Sequence, residues 1–273
     1  MMSKKRLDLL LVERKLAENQ ESAKRLIMAG LVFSNQMRLD KPGIKIDEDL
    51  PLSVKQKSIP YVGRGGLKLE KALEHFNLNV QSKTMVDVGS STGGFTDCAL
   101  KNGVRLSYAI DVGYNQLDWK LRNDERVIVM ERTNFRYVTL DMFKHGRPNL
   151  ATVDVSFISL KLILPVLKNI LEPESDVVAL IKPQFEAEKE QVGNKGIVHD
   201  TETHIEVLRK IISYAIKENF QINDITFSPI TGGDGNIEFL AHFHLGADRG
   251  KKMITIDEIE EIVNESHAKL KKN

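Results

Sequence analysis

The stretch that most constrains this chain is Thr84 to Phe95, Thr-Met-Val-Asp-Val-Gly-Ser-Ser-Thr-Gly-Gly-Phe. A short β-branched, apolar run ends in an acid. A glycine-rich turn follows, and a helical pattern opens at about Thr92. Strand, glycine turn and helix in that order build the ligand crevice of a doubly wound sheet. The glycines let a ligand approach the backbone, and the start of the helix presents N–H groups that have no partner within the helix.

The spacing Asp-x-Gly-x-x-x-Gly-Gly differs from the dinucleotide pattern Gly-x-Gly-x-x-Gly. It resembles the first motif of S-adenosylmethionine-dependent methyltransferases. That cofactor has no phosphates, and an acid such as Asp87 suits its cationic groups better than it would suit a pyrophosphate. The resemblance makes Asp87, Gly89, Ser90, Ser91, Thr92, Gly93, Gly94 and Phe95 cofactor-binding candidates.

The rest of the chain reads as two domains. Residues 1–64 hold 13 Lys+Arg against 8 Asp+Glu, about +5, although the whole chain carries a net charge of only +1. A basic front end beside a near-neutral body suggests a polyanionic partner. With 41% hydrophobic and 28% charged residues, the chain has the composition of an ordinary soluble protein. No apolar run reaches the length of a membrane span, and no signal peptide is visible at the start. The single cysteine, Cys98, cannot form an intrachain disulfide and sits beside Ala99 and Leu100 as core. The expected compartment is the cytoplasm.

In the front module, Leu7, Leu10 and Leu11 fit one face of a short helix. Asn19 caps a second helix and Gly30 closes it, with Ala23, Leu26 and Ile27 inward and Lys24 and Arg25 outward. Short strands follow around Leu31–Asn35, Ile44–Ile46 and Leu52–Val54. Arg6-Leu7-Asp8, Ser22-Ala23-Lys24-Arg25-Leu26-Ile27 and Gly30-Leu31-Val32 resemble the small RNA-binding domain first described in ribosomal small-subunit protein four. The resemblance implies that Lys5, Arg6, Lys24 and Arg25 contact RNA. On the charges alone, the same residues are equally a solvated helix face. Pro60 and the glycines at 63, 65 and 66 read as a junction, with Arg64 touching RNA or cofactor or bridging the domains. The expected boundaries are 1–62 for a small basic RNA-binding domain, 63–66 for a hinge, 67–250 for a methyltransferase domain and 251–273 for a helical tail.

The second domain alternates strands and helices. Strands are expected from Thr84 to Asp87 and at Leu106–Ile110, Arg126–Met130, Asn149–Val153, Asp176–Ile181, Ile222–Phe227 and Ile237–His244. The fold class is therefore α/β, a doubly wound seven-stranded sheet, with a small N-terminal α+β domain. Ligands in such sheets bind outside the carboxyl ends of the strands. The groups expected there are Asp87, Asp111, Glu131 to Asn134, Asp154 and Lys182, with Glu238 near the start of the last strand. Asp111 suits the two hydroxyls of a ribose, because one carboxylate accepts two hydrogen bonds. It is also a simple helix cap in waiting. Asn134 borders the expected adenine site.

Lys68, Asp154, Lys182 and Glu238 fall in the order Lys-Asp-Lys-Glu. This resembles the tetrad of ribose 2′-O-methyltransferases of the FtsJ/RrmJ type. A lysine held neutral by burial and a cationic neighbour can accept or steer the proton of a weakly acidic hydroxyl. Lys182 is the expected base or orienting group, Lys68 its cationic neighbour, and Asp154 and Glu238 the holders, with Asp154 also a cofactor-binding candidate close to the methyl donor. Asp154-Val155-Ser156-Phe157 is not the Asn/Asp-Pro-Pro-aromatic motif of enzymes that methylate exocyclic amines. Base C5 methylation needs an activated cysteine.

With both halves read, the chain resembles the TlyA family. The matching stretches are Arg6–Asp8, Gly63–Leu69, Asp87–Asp97, Asp154–Leu160 and Lys182–Glu186. The resemblance implies S-adenosylmethionine as methyl donor and ribosomal RNA as acceptor, methylated on a cytidine ribose. Two other readings stay open: a membrane-active haemolysin, after a label the family carries, and a non-catalytic RNA-binding assembly factor. His242 and His244 alternate on one strand face, but no acid or cysteine joins them at ligand spacing, so no metal is expected. The loop Gln191–His199 is a candidate lid. The tail from Thr255 to Leu270 reads as an amphipathic helix.

Overall fold

Arg6 is where the first strand hands over to the first helix, and the front module is built around that corner. The computed structural model describes residues 4–17, 19–28, 30–35, 37–54, 60–233, 235–246 and 254–270. The chain divides into two units, Met1–Ile59 and Pro60–Asn273.

In the first unit, β1 (Lys4–Arg6) leads into α1 (Leu7–Glu13) and then α2 (Gln20–Met28). The strands β2 (Val32–Ser34), β3 (Met37–Arg38), β4 (Lys45–Asp47) and β5 (Ser53–Val54) follow. β1 pairs antiparallel with β4, and β2 lies between β3 and β5. Leu7, Leu10, Leu11, Ala23, Ile27 and Val32 form the core, as the helical spacing predicts. Asp8 is fully buried, and Arg6 grips both its oxygens, at 2.8 and 3.0 Å. That pairing pulls the Asp8 carboxyl down to about 2.

The second unit comprises α3 (Gly65–His75), β6 (Thr84–Val88), α4 (Gly94–Lys101), β7 (Leu106–Ile110), α5 (Trp119–Arg122), β8 (Val127–Met130) and β9 (Leu150–Val153). It continues with α6 (Leu164–Ile170), β10 (Ser175–Ile181), α7 (Pro183–Glu186), α8 (Thr201–Lys217), β11 (Phe220–Phe227), β12 (Phe239–Leu245) and α9 (Ile256–Leu270). The seven-stranded sheet runs β11-β12-β10-β9-β6-β7-β8. Its first five strands in sequence run parallel to one another, and β12 is antiparallel to both β10 and β11. The chain leaves β6 toward β7 and β8, then returns to lay β9 on the other side. The switch point, where a ligand crevice opens, therefore lies between β6 and β9.

Side chains alternate across the sheet. Val86, Val88, Ala151 and Val153 pack against α6, α8 and α9 on one face, while Met85, Ala109, Val178 and Leu180 pack against α3 and α4 on the other. The C-terminal helix belongs to this body, since Ile259 and Val263 are buried in its core. Cys98 is fully buried, and its thiol is pushed up to about 12, mainly by burial.

The segment expected as a hinge is more ordered than its composition suggests. The Val62 N–H donates to Asp97 at 2.9 Å, and the Tyr61 hydroxyl donates to Glu70 at 2.6 Å. Gly65 and Gly66 are the first turn of α3 rather than a bend. α3 and α4 start almost in contact, and Gly94 is the glycine that allows it: a Cβ there would lie 2.8 Å from the Gly66 nitrogen, while a Cβ on Gly66 would lie 2.3 Å from the Tyr61 ring. This close crossing brings Lys68, one turn further on, over the switch point.

Candidate active site

Two joined cavities open at the carboxyl ends of the strands. One, of about 480 Å³, is walled by Arg64, Lys68, the turn Gly89–Thr92, Phe95, Asp154, Ser156, Phe157, Lys182 and Glu238 among others. The second, of about 360 Å³, is walled by Ile110, Asp111, Val112, Thr133, Asn134, Phe135 and Ile158. Gly89, Ser91, Asp154, Ser156 and Phe157 line both, so the pair is one bent cleft.

The glycine turn floors the bend. Gly89 adopts φ +82°, and a Cβ there would lie 2.5 Å from the Asp154 carbonyl oxygen. Only a residue without a side chain fits between β6 and β9 at this level. Ser91 also has a positive φ, +48°, and its N–H donates to Asp111 at 2.7 Å. The other Asp111 oxygen accepts from the Gly113 N–H, also at 2.7 Å. Asp111 thus ties the glycine turn to the loop after β7 and keeps lone pairs facing the cleft.

Not every residue of the motif reaches the cleft. Asp87 lies on the sheet face beneath α4 and is fully buried. Its oxygens accept the hydroxyls of Thr96 at 2.7 Å and Thr152 at 2.9 Å. Burial pushes its carboxyl up to about 6, against the pull of those two hydroxyls, and the nearby Asp154 charge adds to the rise. Asp87 therefore does not line the cleft where the cofactor contact was expected, because strand alternation turns this side chain under the helix. Gly93, at φ +94°, faces Leu117 and Leu121 and forms the turn without lining the cleft. Glu131 also turns away, pairing with Arg122 at 2.6 Å, which holds its carboxyl at about 2.

The four tetrad residues meet at the other side of the bend. Asp154 follows β9, and Lys182 follows the parallel neighbour β10. Glu238 precedes β12, whose antiparallel run starts at the cleft because Phe239 pairs with Ile181. The Lys68 ammonium lies 2.6 Å from Glu238 and 3.6 Å from Asp154, and the Lys182 ammonium lies 2.6 Å from Asp154. Lys68 and Lys182 are each 8% exposed and Glu238 is 2% exposed. Asp154 stands between the two ammonium groups, one oxygen toward each. Lys68 therefore faces Lys182 through a carboxylate and not directly, as two cations in a nearly dry site must.

Three further groups border this chemistry. The Lys182 ammonium donates to the Ser156 hydroxyl at 3.1 Å. Gln184 lines the cavity, and its Oε1 is buried without a hydrogen-bond partner. Phe157 holds a left-handed φ of +61° while 91% exposed, its ring 5.0 Å from that of Phe185. A bulky residue kept both strained and solvated at a cleft mouth signals a function. The motif Asp-Val-Ser-Phe was visible in the sequence, but the exposure of its ring was not.

The polyanion-binding candidates divide. Lys24 is exposed, Lys5 pairs with Glu13 at 2.6 Å, and the Arg6 guanidinium is occupied by Asp8. The side chain of Arg25 lies outside what the structure describes. Arg64 is exposed and lines the cleft. Of the two strand histidines, the sequence missed an acid across the strands: Asp176 on β10 reaches His242 Nε2 at 2.9 Å and His244 Nδ1 at 3.2 Å. Among the described residues no group of three or more His, Cys, Asp or Glu is arranged to hold a metal.

Comparison with known proteins defines the class. Residues 61–245 match the FtsJ-like methyltransferase family, and the chain is a member of it. Its cofactor is S-adenosylmethionine. The donor set is compatible with that group: an acid, Asp111, an amide, Asn134, and apolar Val112 and Phe135 line one arm, and Gly89 and Ser91 line both that arm and the one that holds Lys68, Asp154, Lys182 and Glu238. Within the class the chain belongs to the TlyA family. It is 61% identical, over 98% of its length and 96% of the relative's, to Bacillus subtilis (strain 168) YqxC, provisionally named an rRNA methyltransferase. It is 39% identical, over 91% and 93%, to the 16S/23S rRNA (cytidine-2′-O)-methyltransferase TlyA of Mycobacterium tuberculosis (strain ATCC 25618 / H37Rv). A solved structure from Streptococcus thermophilus, provisionally titled a hemolysin, superposes with a TM-score of 0.80 at 50% identity, covering 100% of this chain and 99% of that one.

Proposed function

We propose that this protein transfers a methyl group from S-adenosylmethionine to the ribose 2′-hydroxyl of a cytidine in ribosomal RNA. The observation that carries the reading is the run Glu238, Lys68, Asp154, Lys182 and Ser156 along the wall of a cleft whose other arm fits the cofactor. The names of the relatives supply the cytidine and the ribosomal RNA.

When bound, the cofactor supplies a methyl group on a sulfonium, whose C–S bond breaks as the new O–C bond forms. The chain's own residues handle the hydroxyl. An ammonium has three donors. Asp154 and Ser156 take two from Lys182, which leaves one for the acceptor oxygen. In its ammonium form Lys182 orients that oxygen. In its amine form it accepts the hydroxyl proton, and Asp154 stabilises the ammonium so made. Lys68, anchored by Glu238, holds the far oxygen of Asp154. Positioning of this kind supplies much of the rate in a transfer between bound partners.

The basic first unit supplies affinity through phosphates, with Lys5, Arg6, Lys24 and Arg25 as its candidate contacts and Arg64 at the cleft. Phe157 and Phe185 offer a stacking surface at the mouth for an exposed base. A ribosomal substrate supports the cytoplasm as its compartment. Among the described residues no helix is long and apolar enough to cross a membrane.

The test is incubation with unmodified ribosomal subunits and S-adenosylmethionine, followed by nucleoside mass spectrometry. 2′-O-methylcytidine is the expected product. A methyl group found on a base, or cofactor binding without transfer to either subunit or to free RNA, contradicts the reading.

A further inference from the structure

The acceptor arm of the cleft is built from two loops distant in sequence, and one buried carboxylate fastens them together. The loop after β9 carries Asp154, Ser156 and Phe157. The turn after β10 carries Lys182, which caps α7, together with Gln184 and Phe185. Glu186, the last residue of α7, is 7% exposed and is not part of the cavity wall. Its Oε1 accepts the Leu160 N–H at 2.7 Å, and its Oε2 accepts the Ser159 hydroxyl at 2.6 Å.

Those two bonds close the far end of the β9 loop onto α7. At the near end, Asp154 and Ser156 are held by Lys182. Between the two fastenings lies Phe157, in a backbone conformation that persists only when its surroundings enforce it. A carboxylate this buried is costly unless it is hydrogen-bonded, and neither partner is a cation. Burial raises the Glu186 carboxyl above its usual range, while Ser159 and Leu160 oppose the rise. The methyl-transfer chemistry above makes no use of it.

We propose that Glu186 is a positioning residue for methyl transfer: by joining Ser159 and Leu160 to α7 it fixes Ser156 and Phe157 opposite Lys182 and Phe185. The proposal rests on the methyltransferase reading. Misplacing reacting groups by about 1 Å can cost about 100-fold in rate, so E186A should lower kcat roughly 10- to 100-fold. E186Q keeps an oxygen for the Leu160 N–H and can donate its amide to the Ser159 hydroxyl, so it should recover kcat to within about fivefold of wild type. S159A removes one fastening and should lower kcat roughly three- to tenfold.

The experiment measures single-turnover methylation of unmodified ribosomal subunits with tritiated S-adenosylmethionine, alongside the number of cofactor sites per chain by equilibrium dialysis. A positioning role predicts slow transfer by E186A with about one cofactor site per chain retained and rescue by E186Q. A loss of sites that matches the loss of rate would make Glu186 merely structural and overturn the proposal. An E186A rate within about threefold of wild type would overturn it as well. If E186A does not accumulate as folded protein, S159A decides by the same two criteria. Absence of transfer by the wild-type protein would defeat the underlying reading, an outcome distinct from either.

Discussion

Replacing Asp87 by Asn should make the methyltransferase unit less sensitive to a rise in pH from acid to neutral. Asp87 is fully buried, and its carboxyl is pushed from 3.8 to about 6. The folded state thus holds the proton more tightly than the unfolded chain does. The group costs nothing below pH 3.8. The cost grows as pH rises from 3.8 through about 6 and is complete above about pH 7. A shift of about two units corresponds to about 3 kcal/mol at full ionisation, roughly half of it accumulated by pH 5 and the other half between pH 5 and pH 8. Asn has no charge to desolvate, and its amide can serve both threonine hydroxyls, which rotate to suit. All other titrations are shared by the two proteins. The stability difference, variant minus wild type, should therefore rise by about 1.5 kcal/mol between pH 5 and pH 8. For a unit of this size that is roughly 3 to 6 °C in Tm. Calorimetric scans at both pH values measure it. A difference that stays constant with pH, or that shrinks toward pH 8, would refute the assignment of Asp87 as a strained, buried acid.

Three other substitutions test the cleft. Gly89→Ala places a Cβ 2.5 Å from the Asp154 carbonyl oxygen at φ +82°. It should weaken cofactor binding at least about tenfold by equilibrium dialysis and cost about 1–2 kcal/mol in a urea titration. Asp111→Ala releases the N–H groups of Ser91 and Gly113 and removes oxygens placed for a ribose, so the cofactor Kd should rise by about 30-fold or more, read by calorimetry. Phe157→Ala removes a ring that is 91% exposed. Its Tm should stay within about 2 °C of wild type, because little surface is unburied. The KM for RNA should rise about tenfold through lost stacking.

The order of elements was legible in the sequence because strand and helix periodicities differ and the glycine turn joins one of each. The tetrad was legible because three of its members end or begin strands on the ligand side. The structure adds what depends on neighbours across space. Alternation along β6 turns Asp87 under α4, although its place in the motif suggested the cofactor. Asp154 separates the two lysines, a fact set by the β9–β10 pairing. The glycines at 65 and 66 read as a hinge, since glycine is ambiguous between a bend and a helix start packed against neighbouring groups. The Asp176 partner of His242 and His244 came from the adjacent strand and could not be found at sequence spacing. Glu186 closes the matching stretch Lys182–Glu186 without a role of its own in the sequence; its burial against Ser159 and Leu160 is what points to one.

The most direct test of the account is transfer of tritium from labelled S-adenosylmethionine to unmodified ribosomal subunits by wild-type protein and by Lys182→Ala. The account predicts label recovered as 2′-O-methylcytidine with wild type. With Lys182→Ala it predicts a fall of about 100-fold or more, at a cofactor affinity within about threefold of wild type. Undiminished transfer by Lys182→Ala, or label on a base in place of ribose, would contradict it.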